Sequence, residues 1–159
     1  MALKASIYKA ELQISDMDRN YYQSHPLTIA RHPSENEERM MVRLLAFIRH
    51  ADERLSFTKG ISTDDEPDIW QLSLSGEIEC WIELGQPDEK RIRKACGRAR
   101  EVYIYLYSGH GAEIWWEQMA QKLSSINNLH IYNLPANQRE QLSQMVQKNM
   151  ALQATIQDE

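Results

Sequence analysis

The chain has 159 residues, 42% of them hydrophobic and 26% charged, a composition that excludes wholesale disorder, collagen and a continuous coiled coil. No apolar run approaches the roughly 20 residues of a membrane-spanning helix. The net charge of -5 excludes a uniform basic field for nucleic acid, although charge is segregated: QPDEKRIRKACGRAR is basic and STDDEPD is acidic.

The opening MALKASIYKA has no apolar stretch, so no signal peptide is expected. The cysteines Cys80 and Cys96 do not make a disulfide framework, which points to a reducing cytoplasm. Residues 3–14 alternate in two phases, Leu3/Ala5/Ile7 and then Ala10/Leu12/Ile14, which predicts a strand with a bulge near Tyr8-Lys9. Tyr21 to Ala30 reads as its hairpin partner, and Pro26 assigns it to a sheet edge.

Ser34 and Glu37 read as a capping box that opens a helix running to about Ala51. Its apolar stripe is Met41, Leu44, Leu45 and Ile48, with Arg39, Arg43 and Arg49 outside. A short strand at 54–59, an acidic loop at 60–67 and two strands at 68–74 and 77–84 follow, the last two joined at Ser75-Gly76. Pro87 then opens a basic helix to about Ala99. A strand at 102–107, a Trp-rich helix at 112–123, a strand at 129–134 and a helix from Pro135 to about Leu152 complete the pattern, with a further strand starting near Ala154. This order predicts an α/β fold, a mixed β-sheet flanked by helices on both faces, in a single domain. Within it the N-terminal hairpin covers about 3–31, the core 34–134 and the C-terminal elements 135–157.

A two-residue turn at Ser75-Gly76 sets Leu74 against Glu77, Leu72 against Glu79, Trp70 against Trp81 and Asp68 against Glu83. Two carboxylates with Cβ atoms roughly 5 Å apart repel. A shared proton, a neighbouring Arg or Lys, or a divalent cation would each relieve them. The bland alternative is two surface carboxylates, each with its own basic partner. Gly85 leaves room for a close approach, and Gln86 precedes a helix that offers Lys90, Arg91 and Lys94 to a phosphate backbone. Glu38 continues the core stripe of the first helix, and Glu35 is a second candidate there. The five histidines show no metal-ligand spacing, and both cysteines read as packed rather than nucleophilic. Of Trp115 and Trp116, one is expected in the core and one at its boundary.

The segments RHPSENEERMMVRLLAF, FTKGISTDDEPDIW, GEIECWIELGQPDEKRIRKACGRA and EIWWEQ resemble the YaeQ family of bacterial proteins over nearly the whole chain. The resemblance implies a fold similar to the magnesium-dependent PD-(D/E)XK nucleases, with a further short strand pair beyond TIQD. Under it Pro67-Asp68 is the PD element, Glu83 the (D/E) element, and Glu38 or Glu35 the helix carboxylate. Asp68, Glu83 and Glu38 would hold Mg²⁺ or Mn²⁺, Gln86 would orient water or phosphate, and Lys90, Arg91 and Lys94 would contact nucleic acid. The lysine expected two positions after Glu83 is replaced by Gly85. The functional expectation is therefore a Mg²⁺-dependent nuclease or phosphodiesterase. Its alternative is a catalytically silent module that binds nucleic acid or a protein. The implied protein is not membrane-bound, and it is a monomer rather than an obligate oligomer.

Overall fold

A computed structural model describes residues 4–58 and 65–158. The expected strand residue Leu3, the strand end at Lys59 and the first part of the acidic loop, residues 60–64, lie outside the described residues. The described elements are two mixed sheets and four helices, and the chain divides into two compact units. One unit is Met1–Ala51 with Gln141–Glu159, and the other is Asp52–Glu140.

The first unit is a three-stranded sheet of order β2-β1-β8, with β1 (Ser6–Asp16), β2 (Tyr21–Arg31) and β8 (Asn149–Ile156). β1 and β2 are antiparallel in unbroken register from Ser6↔Arg31 to Asp16↔Tyr21. The bulge expected at Tyr8-Lys9 is absent. Tyr8, Ala10, Leu12 and Ile14 are buried in strict alternation, and Ile7 is left exposed. A large aromatic, not Ile7, fills the inward position at this end, so no phase change is needed. Pro26 lies on the edge strand as expected. β8 pairs parallel with β1, from Lys9↔Asn149 to Asp16↔Ile156. The helix expected to run from Pro135 to Leu152 is much shorter: α4 is Ala136–Ser143, and the chain then turns into β8. Pairing with β1 overrides the helical preference of this Gln-, Met- and Leu-rich stretch.

Helix α1 (Glu37–Arg49) begins two residues later than the capping box implies. Its N-cap is Asn36, whose side chain accepts from the Arg39 amide at 2.7 Å, while Ser34 Oγ bonds His32 and Glu37 accepts from the Tyr8 hydroxyl. Arg43 is the larger correction. It is buried, not outside, because Glu35 just before the helix is buried too. Glu35 accepts from Arg39 Nη1 at 2.7 Å and from Arg43 Nη2 at 2.8 Å, and Arg43 also reaches the Ala30 carbonyl at 3.0 Å.

The second unit is a five-stranded sheet of order β3-β4-β5-β6-β7. Its strands are β3 (Leu55–Phe57), β4 (Ile69–Leu72), β5 (Ile78–Leu84), β6 (Ala99–Leu106) and β7 (Leu129–Asn133). β3, β4 and β5 are antiparallel, and β5, β6 and β7 are parallel. Helices α2 (Glu89–Arg98) and α3 (His110–Leu123) cover one face, where Ile92, Ala95, Trp115 and Met119 pack with Trp81, Val102 and Ile104. α2 is N-capped by Asp88, which accepts from the Arg91 amide. Trp115 is buried, as expected of one of the pair, with its indole donated to the Pro87 carbonyl, and Trp116 is exposed rather than at the core boundary. No helix among the described residues is long and apolar enough to cross a membrane.

Removing one partner of a buried ion pair strands the other. Glu35→Ala is expected to lower the unfolding free energy by about 3 kcal/mol, read from urea denaturation. Asp16 gives a second test. Burial pushes its carboxyl up, but the Arg19 side chain and amide more than offset that and hold it below the usual range. A depressed folded pKa contributes stability above the unfolded value and loses it as pH falls. Wild type should therefore lose more stability below pH ~4 than Asp16→Asn does, as measured by pH-dependent thermal melts.

Candidate metal and phosphate site

The site starts from a turn. The Gly76 amide donates to the Ser73 carbonyl at 3.0 Å and the Ser73 amide to the Glu77 carbonyl at 2.8 Å, enclosing residues 74–76. Gly76, with φ of 88°, takes the left-handed conformation that such a loop needs. The turn thus has three residues, not the two expected, and Leu72 pairs with Ile78 rather than with Glu79. A register shift then follows between Gln71 and Leu72, leaving Glu79 without a residue opposite. The two irregularities cancel. Gln71↔Cys80, Trp70↔Trp81 and Ile69↔Ile82 stand where the simple turn would have put them.

Asp68 lies just before β4, against residues 82–84. Its amide donates to the Ile82 carbonyl at 3.1 Å, and its Oδ2 accepts from the Leu84 amide at 2.8 Å. Glu83 is held on both oxygens: Oε1 accepts from the Trp81 indole at 3.1 Å and Oε2 from Arg91 Nε at 2.8 Å. Both carboxylates are buried, with residue exposures of 4% and 7%. Of the three ways to relieve such a pair, the described residues supply a basic neighbour for Glu83 and a backbone donor for Asp68.

The basic helix turns a face toward the segment before Asp68. Arg91 Nη2 donates to the Glu66 carbonyl at 3.1 Å, Arg98 Nη1 to the Asp65 carbonyl at 2.8 Å, and Lys94 Nζ lies 3.4 Å from Asp65 Oδ1. Arg91 is thus engaged inside the unit, while Lys90 and Lys94 are exposed. Gly85, with φ of 104°, donates its amide to the Tyr105 carbonyl and has open space where a Cβ would stand. Gln86 is exposed and donates its side-chain amide to Ser108 Oγ. Glu35 and Glu38 belong to the other unit, where Glu35 is buried in its arginine pair and Glu38 is half-buried on the first turn of α1. Among the described residues no group of three His, Cys, Asp or Glu side chains is arranged to hold a metal.

Trp81 and Arg91 as the partners of Glu83 escaped the sequence reading. The first was legible in principle, since residues two apart on a strand share a face. The second needs the tertiary placement of α2.

A family model described as YaeQ protein matches residues 1–159. The chain belongs to the YaeQ family. The YaeQ proteins of Salmonella typhi and Escherichia coli K12 are 51% and 50% identical to it over 158 residues, covering 99% of this chain and 87% of each relative. The crystal structure of YaeQ from Xanthomonas axonopodis pv. citri superposes with a TM-score of 0.94 at 49% identity, over 97% of this chain and 87% of that one. YaeQ from Pseudomonas syringae superposes at 0.92 and 35% identity, over 97% and 85%.

The thiols are inert by environment. Burial, then Glu101 and Glu79, push Cys80 up to about 12. Burial pushes Cys96 up to about 11, with Arg93 opposing and Glu101 adding. The thiolate is the reactive form, so iodoacetamide at neutral pH should label both cysteines slowly in the native protein and rapidly in urea, as followed by mass spectrometry.

Proposed function

We propose that this YaeQ-family chain is a divalent-metal-dependent phosphodiesterase of the PD-(D/E)XK kind acting on nucleic acid. The observation that carries the reading is the pair of buried carboxylates: Asp68, just before β4, whose Oδ2 accepts from the Leu84 amide, and Glu83, the residue before Leu84 on β5. Buried carboxylate oxygens are the hard donors that Mg²⁺ and Mn²⁺ take, and Glu83 already binds a cation, the Arg91 guanidinium. The donor type suits the ion, while among the described residues no third His, Cys, Asp or Glu is arranged with the pair to hold it. Bound Mg²⁺ would acidify a water and neutralise charge developing on a phosphodiester.

The remaining work falls to the chain itself. The Leu84 amide and the Trp81 indole fix the two carboxylates. Gln86, braced by Ser108, orients water or phosphate at the open space left by Gly85. Lys90 and Lys94 meet the phosphate backbone. The reading rests on Asp68 and Glu83 within one unit; Glu35, whose two oxygens are taken by arginines, and Glu38 belong to the other.

A second reading is favoured by two specific observations: Gly85 stands where the motif has lysine, and Arg91 occupies Oε2 of Glu83. In it the module binds nucleic acid or a protein partner without cutting.

Single- and double-stranded DNA and RNA incubated with millimolar Mg²⁺ or Mn²⁺ separate the two. Cleavage that falls about a hundredfold or more in Asp68→Asn and in Glu83→Gln is the expected result. Cleavage that survives both substitutions excludes this site. Salt-sensitive binding with no cleavage selects the second reading.

A further inference from the structure

The exposed face of the three-stranded sheet carries a site that the proposed function does not use. It lies wholly within the first unit, where residues of β1, β2 and β8 line a cavity of about 450 Å³. That volume falls in the range of small-molecule sites. We propose that this cavity binds a free α-amino acid, with the ligand carboxylate on Lys9 and the ligand ammonium on Glu11.

Strand register builds the cavity in two rungs. Lys9 on β1 stands between Thr28 on β2 and Asn149 on β8, and Glu11 stands between Pro26 and Ala151. Paired residues, and residues two apart on a strand, share a face. All six residues are exposed. The first rung is a row of donors: a hydroxyl, an ammonium and an amide. The second sets one carboxylate between a proline ring and a methyl group. Among the described residues neither the Lys9 nor the Glu11 side chain has a hydrogen-bond or ion-pair partner, each other included.

These two opposite charges, with Cα atoms roughly 7 Å apart along the strand, select the ligand. A lone anion is repelled by Glu11 and a metal ion by Lys9. An uncharged ligand would take water from both charges and return no charge to either. A zwitterion answers both. An α-amino acid holds its ammonium and carboxylate one carbon apart, and a charge-assisted hydrogen bond of ~2.8 Å at each end spans the distance between the side chains. The Thr28 hydroxyl and the Asn149 amide add donors to the same carboxylate. The ligand's side chain then lies over Pro26 and Ala151, which favours an apolar one.

Titration of the isotope-labelled full chain with L-leucine, followed by amide chemical shifts, tests the site. Saturable shifts confined to the strand segments that line the cavity are expected. N-acetyl-leucine lacks the ammonium and leucine methyl ester lacks the carboxylate, so each should bind wild type at least about tenfold more weakly. Lys9→Met should lose the preference over the ester, and Glu11→Gln the preference over the N-acetyl form. Both substitutions fall on exposed side chains, where the effect on folding is small, and the ligand series on wild type does not depend on them. No shifts at this face with millimolar leucine overturn the proposal. So does equal binding of leucine and its two blocked forms, or discrimination that persists unchanged in both variants.

Discussion

Trp70 and Trp81 face each other across β4 and β5, and the positions of Glu83 and of Asp68 beside it follow from that pairing. Cross-strand aromatic pairs are among the more favourable contacts in a sheet. This one is flanked by Ile69↔Ile82, both fully buried. A slip of one residue would turn Ile82 out of the core and bring Glu83 to the opposite face. The apolar side chains thus fix the register, and the acids are carried to their places by it. The three-residue turn and the extra residue Glu79 are tolerated because they are equal and opposite.

Placing Asp68 and Glu83 beside each other has a cost that the surrounding structure offsets with specific donors. An unpaired buried charge costs several kcal/mol. Glu83 is met by an indole and a guanidinium, and Asp68 by a main-chain amide. The first unit treats Glu35 in the same way, with Arg39 and Arg43 on its two oxygens. Two buried acids in two units have thus been given arginines, but their settings differ. Arg43 is itself buried, whereas the Arg91 side chain is 28% exposed. An arginine that keeps contact with water can exchange partners at lower cost than one that does not.

Much of this was legible in the sequence where the signal is local. The order of elements, the edge position of Pro26 and the Trp70–Trp81 pair follow from alternation and turn residues. Local signals fail where the partner is distant in sequence or lies outside the repeat being read. Arg43 fell on the polar side of a helical stripe because Glu35 precedes the helix and is invisible to its period. The stretch 149–156 carries Met150, Leu152, Ala154 and Ile156 in alternation, yet its composition favours a helix. Only the waiting edge of β1 decides the matter. Glu83 was found as an acid, but its partner Arg91 sat among six basic residues of one segment, and sequence alone does not single it out.

The parallel pairing of β8 with β1 has a consequence for how the molecule comes into being. Residues 9–16 and 149–156 are separated by nearly the whole chain, so the first sheet closes only when its last strand has been made. The unit at 52–140 is contiguous and needs nothing downstream. During synthesis it can settle while the N-terminal hairpin still carries an open β1 edge outside the ribosome. Non-local pairings of this kind are slow to form and leave a strand edge exposed in the meantime. Residues 9–16 are therefore among the last to reach their finished state.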